Sequence, residues 1–113
     1  MNVTITQQED VTIVALEGNL MGGPDATSLN SRIHELIEQG NNRIVIDLSG
    51  VEFMNSSGLG LLLGTTSAVR NAGGVLTIAN ASAKVETIIK IAKLGAILRT
   101  HPSLDDAIAH VKK

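Results

Sequence analysis

The chain of 113 residues has no cysteine, tryptophan or tyrosine, and Phe53 is its single aromatic residue. Without cysteine there is no disulfide framework, no thiolate nucleophile and no cysteine-based metal site. Without aromatic platforms there is nothing for bases to stack on, and a net charge of −2 leaves no electrostatic footprint for nucleic acid. Nucleic-acid binding is therefore not expected. The three histidines, His34, His101 and His110, lie far apart without ligand spacing, so they read as ordinary surface residues, with no metal or cofactor expected. The opening MNVTITQQED lacks a basic region followed by an apolar one, and no apolar run approaches ~18 residues. A soluble, cytoplasmic protein without direct membrane insertion is the expectation. In that compartment the Asn-x-Ser/Thr matches at Asn2, Asn55 and Asn80 carry no meaning as glycosylation sites.

What is present is aliphatic. Apolar residues make up 43% of the chain, enough for one globular core, and the length suits a single domain over 1–113. Val3 and Ile5 alternate with Thr4 and Thr6, the pattern of a half-exposed edge strand near 2–7. Residues 11–17 are apolar on both faces and belong deeper inside, and the short polar link between the two suggests an antiparallel hairpin. Pro24 fits the first position of a helix, Ala26, Leu29, Ile33, Leu36 and Ile37 share one of its faces, and Gly40 ends it. A buried strand over 43–48, a helix over about 57–71 and a strand over 75–79 follow. Val85, Ile88, Ile89 and Ala92 mark a third helix, and Ala96-Ile97-Leu98 is a candidate last strand. Ser103-Leu104-Asp105-Asp106 resembles an acidic capping box, opening a helix that buries Leu104, Ala107, Ile108 and Val111. The expected class is α/β, with a mixed, mostly parallel sheet of four to five strands, an N-terminal hairpin and about four helices. Function in such sheets gathers beyond the carboxyl ends of the strands, where loops 18–23, 49–57 and 80–82 should converge.

One of those loops runs into Asn55-Ser56-Ser57-Gly58-Leu59-Gly60, where a strand gives way to a helix. A hydroxyl there has free backbone N–H groups beside it, at the dipole end that favours negative charge. Ser57 is thus placed either to cap a helix or to carry a phosphate. Enzyme motifs fail in turn. The glycine-rich run from Gly58 to Gly64 has Leu63 where a dinucleotide fingerprint needs its third glycine, and no acidic residue follows at the ribose distance. No Gly-Lys-Ser/Thr triplet exists for a phosphate loop. A nucleophile elbow needs glycine at the positions held by Asn55 and Leu59. Asp47, at the end of a buried strand, reads as a loop-shaping hydrogen-bond acceptor rather than a general base. No enzymatic activity is expected.

The stretch Ile44-Val45-Ile46-Asp47-Leu48-Ser49-Gly50-Val51-Glu52-Phe53-Met54-Asn55-Ser56-Ser57-Gly58-Leu59-Gly60 closely resembles the signature of STAS domains, the family of anti-sigma factor antagonists. The order of elements agrees over essentially the whole chain. The resemblance implies that the second serine of the pair, Ser57, is phosphorylated by a partner serine kinase that is itself the anti-sigma factor, with Ser56 the lesser candidate. It implies that the unmodified protein binds that kinase and frees a sigma factor, that the phosphorylated form lets go, and that a serine phosphatase resets it. The alternative the family offers is a non-phosphorylated regulatory subunit of a membrane transport or lipid-trafficking complex. Partner contacts would fall on Met21, Gly22, Met54, Asn55, Ser56, Gly58 and Leu59, with Asp47 and Asn55 shaping the loops. Met54 is favoured over Phe53 as the apolar residue facing the partner. The chain departs from the family in having Asn55 where aspartate is usual, and Leu20-Met21 where Leu-Asp is commoner.

Overall fold

Two periods set the architecture: alternation in the strands and 3.6-residue stripes in the helices. The structure, a computed structural model, describes residues 2–112. Among them the chain forms β1 (Asn2–Gln8), β2 (Val11–Glu17), α1 (Pro24–Glu38), β3 (Arg43–Gly50), α2 (Ser56–Asn71), β4 (Val75–Ala79), α3 (Ala83–Ile91), β5 (Thr100–His101) and α4 (Leu104–Val111). The sheet has five strands in the order β1-β2-β3-β4-β5. β1 and β2 pair antiparallel as a hairpin, and the remaining neighbours are parallel. This is the mixed α/β sheet expected from the sequence, with the alternating strand at the edge and the doubly apolar one inside.

Alternation sorts the strand residues onto two faces. Val14, Leu16, Ile44, Ile46, Leu48 and Ile78 join the larger core, with Leu29 and Ile33 from α1, Leu62 and Val69 from α2, and Val85 and Ile89 from α3. Val11, Ile13, Val45 and Ala79 point the other way and meet Ala107, Ile108 and Val111 of α4. Three helices therefore cover one face and a single helix the other. Burying one such aliphatic side chain contributes about 1.5–3 kcal/mol.

The helix boundaries follow local chemistry. Pro24 starts α1, preceded by Gly23 with no side-chain cap. Ser82 and Ser103 cap α3 and α4 by accepting from the Val85 and Asp106 N–H groups, each at 3.1 Å. One element is displaced from its expected place. Residues 96–98 form a turn, not a strand, and the last strand is Thr100–His101. Leu98 is buried at 2% exposure, so its apolar character reflects packing into the core from a turn.

Candidate functional site at the start of helix α2

The carboxyl ends of β2, β3 and β4 bring the three expected loops to one edge of the sheet. The loop after β2 lies along the loop after β3. Gly18 donates to the Gly50 carbonyl at 3.0 Å, Leu20 donates to the Phe53 carbonyl at 3.0 Å, and Asn55 donates back to the Leu20 carbonyl at 3.3 Å. Leu20 and Met54 form an isolated parallel bridge. The third loop is tied in by side chains: Asp47 Oδ1 accepts from the Ser49 N–H at 3.0 Å and from Asn80 Nδ2 at 3.1 Å. Asp47 thus joins two of the loops, with both bonds falling on one carboxylate oxygen.

Helix α2 begins one residue earlier than expected, and this changes the role of the serines. Asn55 is the N-cap, and its Oδ1 accepts from the Gly58 N–H at 2.9 Å. The Asn55 carbonyl takes the first helical bond, from Leu59, at 2.9 Å. Capping was one of the two roles open to Ser57, and it is asparagine that supplies the cap, a residue at least as good in that position. Ser56 and Ser57 occupy the first two helical positions, both exposed. Among the described residues neither their N–H groups nor the Ser57 hydroxyl is engaged in a hydrogen bond. An exposed hydroxyl beside two unfilled donors, at the positive end of a 16-residue helix, can accept an anionic substituent without disturbing the fold.

Gly58 and Gly22 explain how the loops approach so closely. A Cβ on Gly58 would collide with the Leu20 carbonyl, and Gly58 is buried there. Gly22, at φ +85°, lies against Ser57 so tightly that a Cβ on it would stand 2.8 Å from Ser57 Cβ. Met21 is exposed, and its carbonyl accepts from Asn55 Nδ2 at 3.2 Å. Met21, Gly22, Asn55, Ser56, Ser57, Gly58 and Leu59 are thereby brought together.

Two apolar residues exchange places relative to expectation. Met54 is 1% exposed and belongs to the larger core, so its side chain is not available to a partner. Phe53 is 38% exposed and faces outward. The bridge between Leu20 and Met54 turns Met54 inward and its neighbour out. Beside Ser56 the surface opens into an apolar groove of about 460 Å³, reaching Phe53, Leu59, Ile88 and Ile91. Ile91, at 77% exposure, is a site-edge residue that the sequence reading passed over. Its signal was an isoleucine standing off the buried stripe of α3.

A second feature was not legible from spacing. His101 on β5 and His110 on α4 meet with ring centroids 4.8 Å apart, although both were expected to be separate surface residues. His101 is half-buried, and its Nε2 is shielded from solvent without a hydrogen-bond partner among the described residues. Desolvation, followed by the neighbouring His110 charge, lowers its pKa from the usual 6.5. Among the described residues no group of three or more acidic, cysteine or histidine side chains is arranged to hold a metal ion.

These features define a class: a small mixed-sheet α/β domain that presents two exposed serines at a strand-to-helix junction, the first of them bordering an apolar groove. The STAS domain family model matches residues 2–107, and the chain belongs to that family. The anti-sigma-B factor antagonist of Bacillus subtilis (strain 168) is 32% identical over 101 residues, covering 87% of this chain and 88% of that protein. The crystal structure of an anti-sigma factor antagonist from Mycobacterium paratuberculosis superposes with a TM-score of 0.85 at 25% identity, over 99% of this chain and 94% of the other. The Bacillus cell fate determinant SpoIIAA in its phosphorylated form shares the fold, with a TM-score of 0.74 at 22% identity, covering 98% of this chain and all of that one (100%). Among the described residues no helix is long and apolar enough to cross a membrane.

Proposed function

We propose that this protein is a cytoplasmic, non-enzymatic anti-sigma factor antagonist that works by partner switching through Ser57. Its unmodified form binds an anti-sigma serine kinase and so releases a sigma factor. Phosphorylation of Ser57 ends that binding, and a serine phosphatase restores it. The observation that carries this reading is the division of labour at the start of α2: Asn55 caps the helix, and Ser57 stays exposed with its hydroxyl uncommitted. The kinship with the Bacillus subtilis antagonist supports the same assignment.

The physical chemistry of such a switch is asymmetric. A phosphate adds about −1.5 to −2 charges, which a helix N-terminus favours by about 0.3–1 kcal/mol at an exposed site. The fold is therefore indifferent to the modification. A partner packed over Ser57 is not, because the dianion must be desolvated and meets any nearby acidic group. A penalty of about 3–4 kcal/mol corresponds to a loss of several hundred-fold in affinity, at about 1.4 kcal/mol per tenfold. Phe53, Leu59 and Ile91 supply apolar contact area in the groove beside the neighbouring Ser56, and Asp47 with Asn80 holds the loops that lead to the site.

The test is to identify the serine kinase that co-purifies with the protein, incubate the pair with ATP and map the modified residue by mass spectrometry. Modification at Ser57 and a several hundred-fold weaker complex with Ser57→Asp are expected. An unmodified Ser57, or a Ser57→Asp protein that binds as wild type does, overturns the proposal. Recovery of a membrane transporter in place of a kinase would point to the transport-associated branch of the family.

A further inference from the structure

The side chain of Asn55 makes two hydrogen bonds in opposite directions, and only one of them belongs to the helix. Its Oδ1 accepts from the Gly58 N–H at 2.9 Å, capping α2. Its Nδ2 donates to the Met21 carbonyl at 3.2 Å, across 34 residues of sequence. That second bond reaches the turn between β2 and α1. Up to Leu20 this segment is held by backbone pairing with Phe53 and Asn55. Past Leu20 the pairing stops, and the chain passes through two glycines in the left-handed region, Gly22 at φ +85° and Gly23 at φ +69°. Glycine in that region is the least restrained of residues. Among the described residues the side chain of Asn55 supplies the hydrogen bond that pins Met21. The next residue, Gly22, is the one pressed against the Ser57 side chain, with no room for a Cβ.

We propose that Asn55 is a positioning residue that clamps the turn 21–23 against one flank of Ser57, so that the hydroxyl is approached from the flank that the turn leaves open. An aspartate at this position would still cap α2, but it offers the Met21 carbonyl a second acceptor in place of a donor. The turn would then be released while the helix start is kept. The clamp dictates from which direction an enzyme or reagent meets Ser57. Its consequence for a kinase rests on the proposed role of Ser57, whereas the clamp itself is a matter of local geometry.

A thiol placed at position 57 reads that geometry directly. The chain has no cysteine, so Ser57→Cys gives a single reporter. Its second-order rate with an uncharged dipyridyl disulfide is measured across a pH series and corrected to the thiolate. The same is done with Asn55→Ser, which keeps a cap but loses the donor, and with Asn55→Asp, which keeps a cap and inverts the donor. Amide hydrogen exchange follows in each protein. Both double variants are expected to label about tenfold faster than Ser57→Cys alone, the change that weakening one hydrogen bond by about 1.4 kcal/mol would produce. Exchange in the turn 21–23 should quicken, with α2 still protected. Equal labelling rates in all three proteins, with α2 intact, overturn the clamp. If Asn55→Ser also loosens α2, the better-capped Asn55→Asp decides by the same comparison. A Ser57 that no kinase modifies would sink the switch and leave this result standing.

Discussion

A methyl group on Gly58 has nowhere to go. It would enter the carbonyl of Leu20, which is held in place by the bond it accepts from Asn55. Gly58→Ala is expected to destabilise the protein by about 1–3 kcal/mol, the usual cost of overpacking against a fixed neighbour. Urea denaturation checks it. Gly60, two residues on, is the internal control. Nothing lies within 4 Å of a Cβ there, and the residue is exposed in a helix. Gly60→Ala should therefore be neutral or gain up to about 1 kcal/mol from helix propensity alone. The two glycines look alike in the motif, and the difference between them is a long-range contact with β2's loop. Met54 and Phe53 teach the same lesson. Residue type marks both as apolar and loop-borne, but which one turns inward is decided by the bridge to Leu20, 34 positions away. The serines and their exposed setting were legible because a strand-to-helix change is written locally. The cap at Asn55 was missed, since Asn55 reads as a loop-shaping residue and the helix starts one residue earlier than its apolar pattern does.

Among the elements, those with a strong period could be read, and those defined by their neighbours could not. β2, β3, α1 and α4 each carry a clear pattern of buried residues. β5 is two residues long and exists as a strand only through pairing of Thr100 and His101 with Ile78 and Ala79. Its place sets up the contact between β5 and α4. His101 faces His110 and Asp106 of α4, with Arg99 just before it. Burial and the His110 charge hold the His101 pKa below 6.5, and the Asp106 carboxylate only partly offsets them. The unfolded chain therefore binds more protons than the folded one as pH falls through and below 6.5. The stability present above that pH should decline progressively in mildly acidic solution and level off once His101 is protonated in both states. His110→Gln removes one of the opposing charges, so its melting temperature should fall less between neutral and mildly acidic buffer than that of the wild type. An identical pH slope in both proteins would show that the ring contact is not the source.

At the scale of the molecule, the sheet separates two tasks. The larger core on one face carries α1, α2 and α3 and, at its edge, the Ser57 site. The smaller cluster on the other face docks α4, whose last turn is further tied by Arg43 donating to the Val111 carbonyl at 2.6 Å. Ile108, at 6% exposure, sits in that smaller cluster. Ile108→Ala should cost about 2–4 kcal/mol through lost burial and the cavity it leaves. It should do so without changing affinity for whichever partner reads Ser57, because no side chain of α4 belongs to that site. Ser57→Asp should do the reverse, leaving the denaturation midpoint nearly unmoved while weakening the complex several hundred-fold. Measured side by side by urea denaturation and titration calorimetry, the pair tests whether the fold lets modification at one edge act on binding alone. A stability loss in Ser57→Asp as large as that in Ile108→Ala would mean that the charge perturbs the whole domain. The switch would then be a change of fold stability rather than of surface.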